Sequence, residues 1–235
     1  MTDLLCVILY SSVAGLPIIA GASVSRLVQK RVHGPDTPFN RWVVAFGGGA
    51  LTSAVAFALV PRALEILPSV PLAVLFLAGV LGFMGIDIAV AHAGASLSQV
   101  LSMMMDFLPE ALALGASFAH DHRFGLLLAL FIGLQNLPEG FNSYVELSRT
   151  GGGRRALWIL FALSFVGIAA AVLGFFVLAD RPAAIAGIML VAAGGIIYMI
   201  FKDIAPLAGK KGDWIPSTGA GIGFLLGMLG EKIIL

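Results

Sequence analysis

Two short runs in the middle of the chain carry side chains that can do chemistry where the surrounding sequence is apolar. The first reads Asp106-Phe107-Leu108-Pro109-Glu110-Ala111 and the second Gln135-Asn136-Leu137-Pro138-Glu139-Gly140. Each places an oxygen-bearing side chain three residues before a proline and a glutamate just after it. On a helix, residues four apart share a face, so Asp106 and Glu110 form one pair of oxygen donors, and Gln135 and Glu139 form another. Asn136, beside Gln135, can reach a neighbouring position. Carboxylate-rich oxygen sites suit hard or borderline divalent cations. Each proline also leaves a carbonyl unbonded, that of Met105 before Pro109 and that of Leu134 before Pro138, and is expected to kink its helix at the level of the acids. No Lys or Arg lies at mid-depth in any apolar run. Unpaired acids in hydrocarbon mark ion or proton pathways rather than packing.

The elements that must hold these runs are apolar helices. The 235 residues are 59% hydrophobic and 11% charged, with mean hydropathy +1.00, far from the roughly 25% charge of a soluble domain. A spanning helix needs about 20 apolar residues. Run lengths and breakers predict an all-α polytopic membrane protein of eight spans, near residues 4–28, 42–63, 72–92, 100–118, 124–147, 156–178, 183–207 and 215–235. Residues 1–235 read as one transmembrane domain, with no linker. A polar loop with Lys30, Arg31 and His33 follows the first span, 94–98 is a short link, and 148–155, with three consecutive glycines, reads as a flexible basic loop. The two motifs fall in the fourth and fifth spans. A single turn joins those spans, which makes them antiparallel neighbours able to face each other.

Charge distribution orients the bundle. Ten basic residues (Arg26, Lys30, Arg31, Arg41, Arg149, Arg154, Arg155, Lys202, Lys210, Lys211) fall on one side and four (Arg62, Arg123, Arg181, Lys232) on the other. The rich side is expected to be cytoplasmic, in the cell (inner or plasma) membrane, with both termini extracytoplasmic. The first apolar run lacks a basic n-region and an Ala-x-Ala end, so it reads as a retained helix. Net charge +1 argues against a nucleic-acid partner, and the lone Cys6 forms no internal disulfide. Gly219, Gly223 and Gly227, spaced by four, form a smooth face for close helix packing inside the subunit. Asn142, Ser143 and Glu146 continue the face of Glu139, and with Asp87 and Asp203 they could line an exit route. His120 and His122 read as polar turn residues more than as an outer metal-capture pair. Met103, Met104 and Met105 read as packing. No His-Glu-x-x-His, Ser/Lys pair or Asp/Asp pair is present, so an intramembrane enzyme is not expected.

Together the two runs resemble the ZIP (Zrt/Irt-like) family of divalent metal transporters, whose fourth span carries His-Asn-x-Pro-Glu-Gly and whose fifth carries a related His- or Gln-led Pro-Glu motif. Gly47-Gly48-Gly49-Ala50-Leu51 with Leu59-Val60-Pro61 resembles that family's second span. Ala192 to Tyr198 with Asp203-Ile204-Ala205-Pro206 resembles its seventh. The resemblance implies eight spans with both ends outside, a homodimer, and spans one, four, five and six carrying metal past a scaffold of two, three, seven and eight. It implies a site of Asp106, Glu110, Gln135 and Glu139, with the transported ion (Zn, Cd, Mn or Fe(II)) as substrate and no other cofactor. Phe107 replaces the family's Asn, and the sixth span, 156–178, offers no acid, so the second of the family's two metal positions is lost. Asp106 in place of His makes the site harder and favours oxygen-preferring ions. The alternative expectation is a transport-deficient homologue acting as metal sensor or partner subunit.

Overall fold

The computed structural model describes residues 2–29, 37–93, 98–209 and 212–235, and these form helices with no strand among them. The elements are α1 (Thr2–Gln29), α2 (Pro38–Ile66), α3 (Ser69–Ala93), α4 (Ser98–Phe118), α5 (His122–Gly151), α6 (Gly153–Val177), α7 (Pro182–Ala208) and α8 (Ile215–Ile234). Six of them, α1, α2, α3, α5, α6 and α7, are long and apolar enough to cross a membrane. The other two are 21 and 20 residues long; α4 carries Asp106 and Glu110, and α8 is rich in glycine and carries Glu231 and Lys232 in its last turn. Apolar side chains face outward along whole helices. On α3, Val70, Val74, Leu77 and Leu81 are all more than half exposed, as expected of a helix whose solvent is hydrocarbon.

The helices sort into two groups. Within the first, α1 packs on α5 and α6, α4 packs on α5 and α6, and α5 touches α6. Within the second, α2 packs on α8 and α7, and α3 packs on α7. Between the groups α2 meets α5, α4 meets α7, and α8 meets α5. Glycine permits the closest approaches inside each group. Gly21 of α1 lies against the Leu137 carbonyl of α5, and Gly140 of α5 against the Ile18 carbonyl of α1, so any side chain there would strike backbone. The predicted stripe on α8 does pack within the chain. Gly219 and Gly223 meet the backbone of α2 at Trp42 and Phe46, and Gly227 meets Ser53 of α2 and Phe131 of α5.

Three local features depart from the sequence reading. Residues 148–155 are not a flexible loop. Helix α5 runs on to Gly151, Gly152 alone turns the chain with φ 79°, and α6 starts at Gly153. One glycine in a left-handed conformation is enough to reverse direction. Second, α4 and α5 pass through Pro109 and Pro138 as unbroken helices. Third, α2 and α7 each contain a π turn, Val55–Leu59 and Ile200–Ile204, in which the amides of Val60 and Ala205 bond back five residues to Val55 and Ile200. Each π turn runs up to a proline, Pro61 or Pro206. A proline has no amide hydrogen to continue the α pattern, and the wider turn absorbs the mismatch. The predicted loop residues Lys30, Arg31 and His33, the link 94–97, Lys210 and Lys211 lie outside the described residues.

The turn that sets α4 against α5 is capped by Asp121, whose Oδ1 accepts the Phe124 amide at 3.0 Å. Asp121→Ala should cost about 1 kcal/mol and lower the melting temperature by about 2–4 °C. Thermal unfolding in detergent would check this, with ion binding expected to be unchanged.

Candidate metal centre

Helices α4 and α5 face each other in antiparallel sense, so their motifs meet as two rungs. In the rung nearer the turn at Asp121, the Gln135 amide donates to Glu110 Oε2. In the rung nearer the Arg149 end, the carboxyls of Asp106 and Glu139 confront each other. Asp106 also accepts the Phe107 amide on Oδ1 at 2.8 Å. Asn136 turns toward α1, where its Nδ2 donates to the Ala14 carbonyl at 2.8 Å. Relative exposures are 0% for Asp106, Gln135 and Asn136, 2% for Glu110 and 9% for Glu139. These five are among the few polar side chains in an otherwise apolar core.

Their remaining atoms make the chemical case. Asp106 Oδ2, Glu110 Oε1, Gln135 Oε1, Asn136 Oδ1 and Glu139 Oε2 are buried and without a hydrogen-bond partner. Every one is an oxygen acceptor, and three belong to carboxylates within electrostatic reach of one another. An unsatisfied buried acceptor costs free energy, and like charges held together cost more. A proton or a cation relieves both. Among the described residues no three of His, Cys, Asp and Glu close into a cage that would grip an ion as they stand. Gln135 presents nitrogen rather than oxygen to Glu110. Rotation of that amide would turn Oε1 inward and release Glu110 for an ion.

The Asp106–Glu139 rung opens into a cavity of about 610 Å³. Asp106, Glu139 and Pro138 stand at its head, and Arg41, Asn142, Glu146 and Arg149 line it farther out. Glu110 and Gln135 do not line it. Beyond them the bundle is filled by Phe118, Leu114, Leu128 and Ile132, all 1% exposed or less. The site is therefore open toward the end that carries Arg149 and Lys202 and closed toward the end that carries His120 and His122.

Other sequence candidates take varied places. Glu146 and Asn142 line the cavity as expected. Asp87 and Asp203 line it too, but they are not bare acids, because Lys202 Nζ lies 2.6 Å from Asp87 Oδ2 and 3.2 Å from Asp203 Oδ1. Ser143 is buried and points its hydroxyl at the Met103 sulfur, 3.9 Å away. His120 and His122 do not converge on a common ligand: His120 contacts the Ala179 carbonyl and Asp180, and His122 lies 3.7 Å from Asp3. Phe107 turns away from the site into a slot on α6 left by Gly167. That explains how a large ring is tolerated next to Asp106. Helix α6 carries no acid. Sequence reasoning missed Lys202 and Tyr198. The signal was present as a Lys202-Asp203 pair embedded in an apolar run, but its partner Asp87 lies on another helix.

No protein-family model and no curated protein matches the chain.

Proposed function

We propose that the chain is a membrane transporter with eight spanning helices, α4 and α8 included, that moves a divalent cation toward the cytoplasm through one site. Asp106, Glu110, Gln135 and Glu139 would bind the ion, with Asn136 at the margin. The observation that carries this reading is a pair of buried carboxyls, Asp106 and Glu139, each with an unpartnered oxygen, at the head of a cavity open on one side, backed by the unpartnered oxygens of Glu110 and Gln135 one turn deeper. The unpartnered atoms of these five residues are all acceptors, three of them carboxylate oxygens, so the set suits a cation better than an anion. The resemblance of both Pro-Glu motifs to ZIP transporters supports the same reading. So does the division of the helices, since α1, α4, α5 and α6 pack as one group and α2, α3, α7 and α8 as another. In this reading the first group carries the ion and the second is the scaffold, the protein is a homodimer, both termini are extracytoplasmic, and the cavity is the cytoplasmic exit. Empty carboxylates take up protons on the return leg; a transport rate that does not change between acid and neutral pH would argue against that coupling.

The test is uptake of zinc, cadmium, manganese and iron(II) by purified protein in liposomes. Accumulation of at least one of these ions is expected. Binding without accumulation would favour a homologue that senses metal or serves as a partner subunit, a reading motivated by the missing acid on α6. Asp106→His probes selectivity. Imidazole is a softer ligand than carboxylate, so the ratio of zinc to manganese uptake should rise about tenfold in that variant, an estimate of one ligand's effect on affinity.

A further inference from the structure

The cavity contains a second group of polar side chains that ion binding at the head does not use. Helix α7 widens into its π turn at Ile200–Ile204 because Pro206 has no amide hydrogen to give to the Lys202 carbonyl. The turn sets Lys202 and Asp203 side by side on the cavity wall. Across from them, Asp87 of α3 accepts the Tyr198 hydroxyl at 2.9 Å and the Lys202 ammonium at 2.6 Å on the same oxygen, Oδ2. Lys202 also reaches Asp203 at 3.2 Å. The result is one ammonium held between two carboxylates from different helices, on the path between Asp106, Glu139 and the outside.

Holding α3 to α7 does not require this arrangement. The two helices already meet backbone to side chain and backbone to backbone, Gly79 against Val191, Gly194 against Phe76 and Gly195 against the Phe83 ring. The three charged side chains are 31% to 44% exposed, and ion pairs exposed to that degree add little stability. The same cavity ends on Asp106 and Glu139, whose carboxylates are more than nine-tenths buried and each keep an unpartnered oxygen. A divalent ion leaving those oxygens would meet two further carboxylates and a phenol, a set of hard oxygen ligands in which it could settle again.

We propose that Lys202 occupies, as a tethered ammonium, a cation position formed by Asp87, Asp203 and the Tyr198 hydroxyl, and thereby keeps a divalent ion from settling in the exit cavity. The inference rests on the transporter reading for its biological sense but not for its chemistry. Neutralising Lys202 vacates the position and leaves two carboxylates facing each other, which is a divalent-ion site of ordinary composition.

The experiment counts Mn²⁺ bound per purified chain, from the loss of the free-ion paramagnetic resonance signal, for the native protein, Lys202→Gln and Lys202→Gln/Asp87→Asn. Lys202→Gln is expected to bind one Mn²⁺ more than the native chain, and Asp87→Asn to remove that extra ion. An unchanged count in Lys202→Gln would overturn the proposal. The readout is the increment, so it decides this question whether or not the native chain binds Mn²⁺, whereas failure of the proposed function is read separately, as no accumulation of any of the four ions in liposomes. If Lys202→Gln is not recovered folded, mild acetylation of lysines on the folded native protein replaces it, since the Lys202 side chain is 43% exposed. Acetylated native protein should then gain an ion that acetylated Asp87→Asn does not, and equal counts would overturn the proposal.

Discussion

Uptake into liposomes should fall at least about 100-fold in the double variant Glu110→Ala/Glu139→Ala, to the leak of empty vesicles. Even a hydrogen-bond partner of a ligand is worth 10- to 100-fold in affinity, and here two ligands are removed, one from each rung. Each glutamate also holds one of the five unpartnered buried oxygens, so the variant deletes two of the three unpartnered carboxylate oxygens and leaves only that of Asp106. A second readout separates loss of the site from loss of the fold. A ligand at 100 times its Kd stabilises the protein it binds by about 2.7 kcal/mol, which for a chain of this length is a rise in melting temperature of about 5–10 °C. The native protein should show that rise with its transported ion, and the variant should show none while still unfolding cooperatively. Uptake equal to native in the variant would mean that the ion passes elsewhere.

Gly47→Leu is expected to separate binding from movement. Gly47 sits on α2 where the two helix groups touch at the depth of the site. A Cβ added there would lie 3.0 Å from Pro138 Cγ and 3.2 Å from Pro138 Cβ. Pro138 is buried, and its ring has little freedom to yield. A leucine forces a wedge between α2 and α5 at a cost of about 1–3 kcal/mol. The strain is not the same at every relative position of the groups, so one position becomes favoured by roughly 5- to 150-fold. Uptake should drop by at least about tenfold, while the ion-dependent rise in melting temperature persists. If both readouts fall together, Gly47 serves folding alone. Gly47→Ala should give an intermediate uptake, because its methyl group meets the same ring without extending past it.

The residues that made these experiments conceivable were legible in the sequence to different degrees. The helices were, because long apolar runs broken by Pro68, Asp180-Arg181-Pro182 and the Lys210-Lys211-Gly212-Asp213 segment admit few alternatives. The shared helix faces were, because four-residue spacing puts Asp106 with Glu110 and Gln135 with Glu139 on any helix. The antiparallel sense of α4 and α5 followed from the short turn between them, while which side chains pair across the rungs did not. What stayed hidden depends on contacts between helices distant in sequence. Nothing near Asp87 announces that Lys202 will reach it from α7. A run of three glycines was read as slack, whereas Gly152 supplies the whole reversal and its neighbours stay helical. The π turns were invisible for a different reason, since Pro61 and Pro206 state that the α pattern must fail but not how the backbone will make up the loss.

The order in which the chain visits the two helix groups limits how far they can part. It crosses from one to the other between α1 and α2, between α3 and α4, and between α6 and α7. The last crossing is a leash of four residues, Leu178 to Arg181, now drawn in by bonds from the Leu178 amide to Gly174 and from the Arg181 amide to Leu178. Fully paid out at about 3.3–3.6 Å per residue, four residues span roughly 14 Å. A stroke longer than that would have to unwind the last turn of α6 or the first turn of α7. Pro182, already placed in that first turn, would be where the fraying begins.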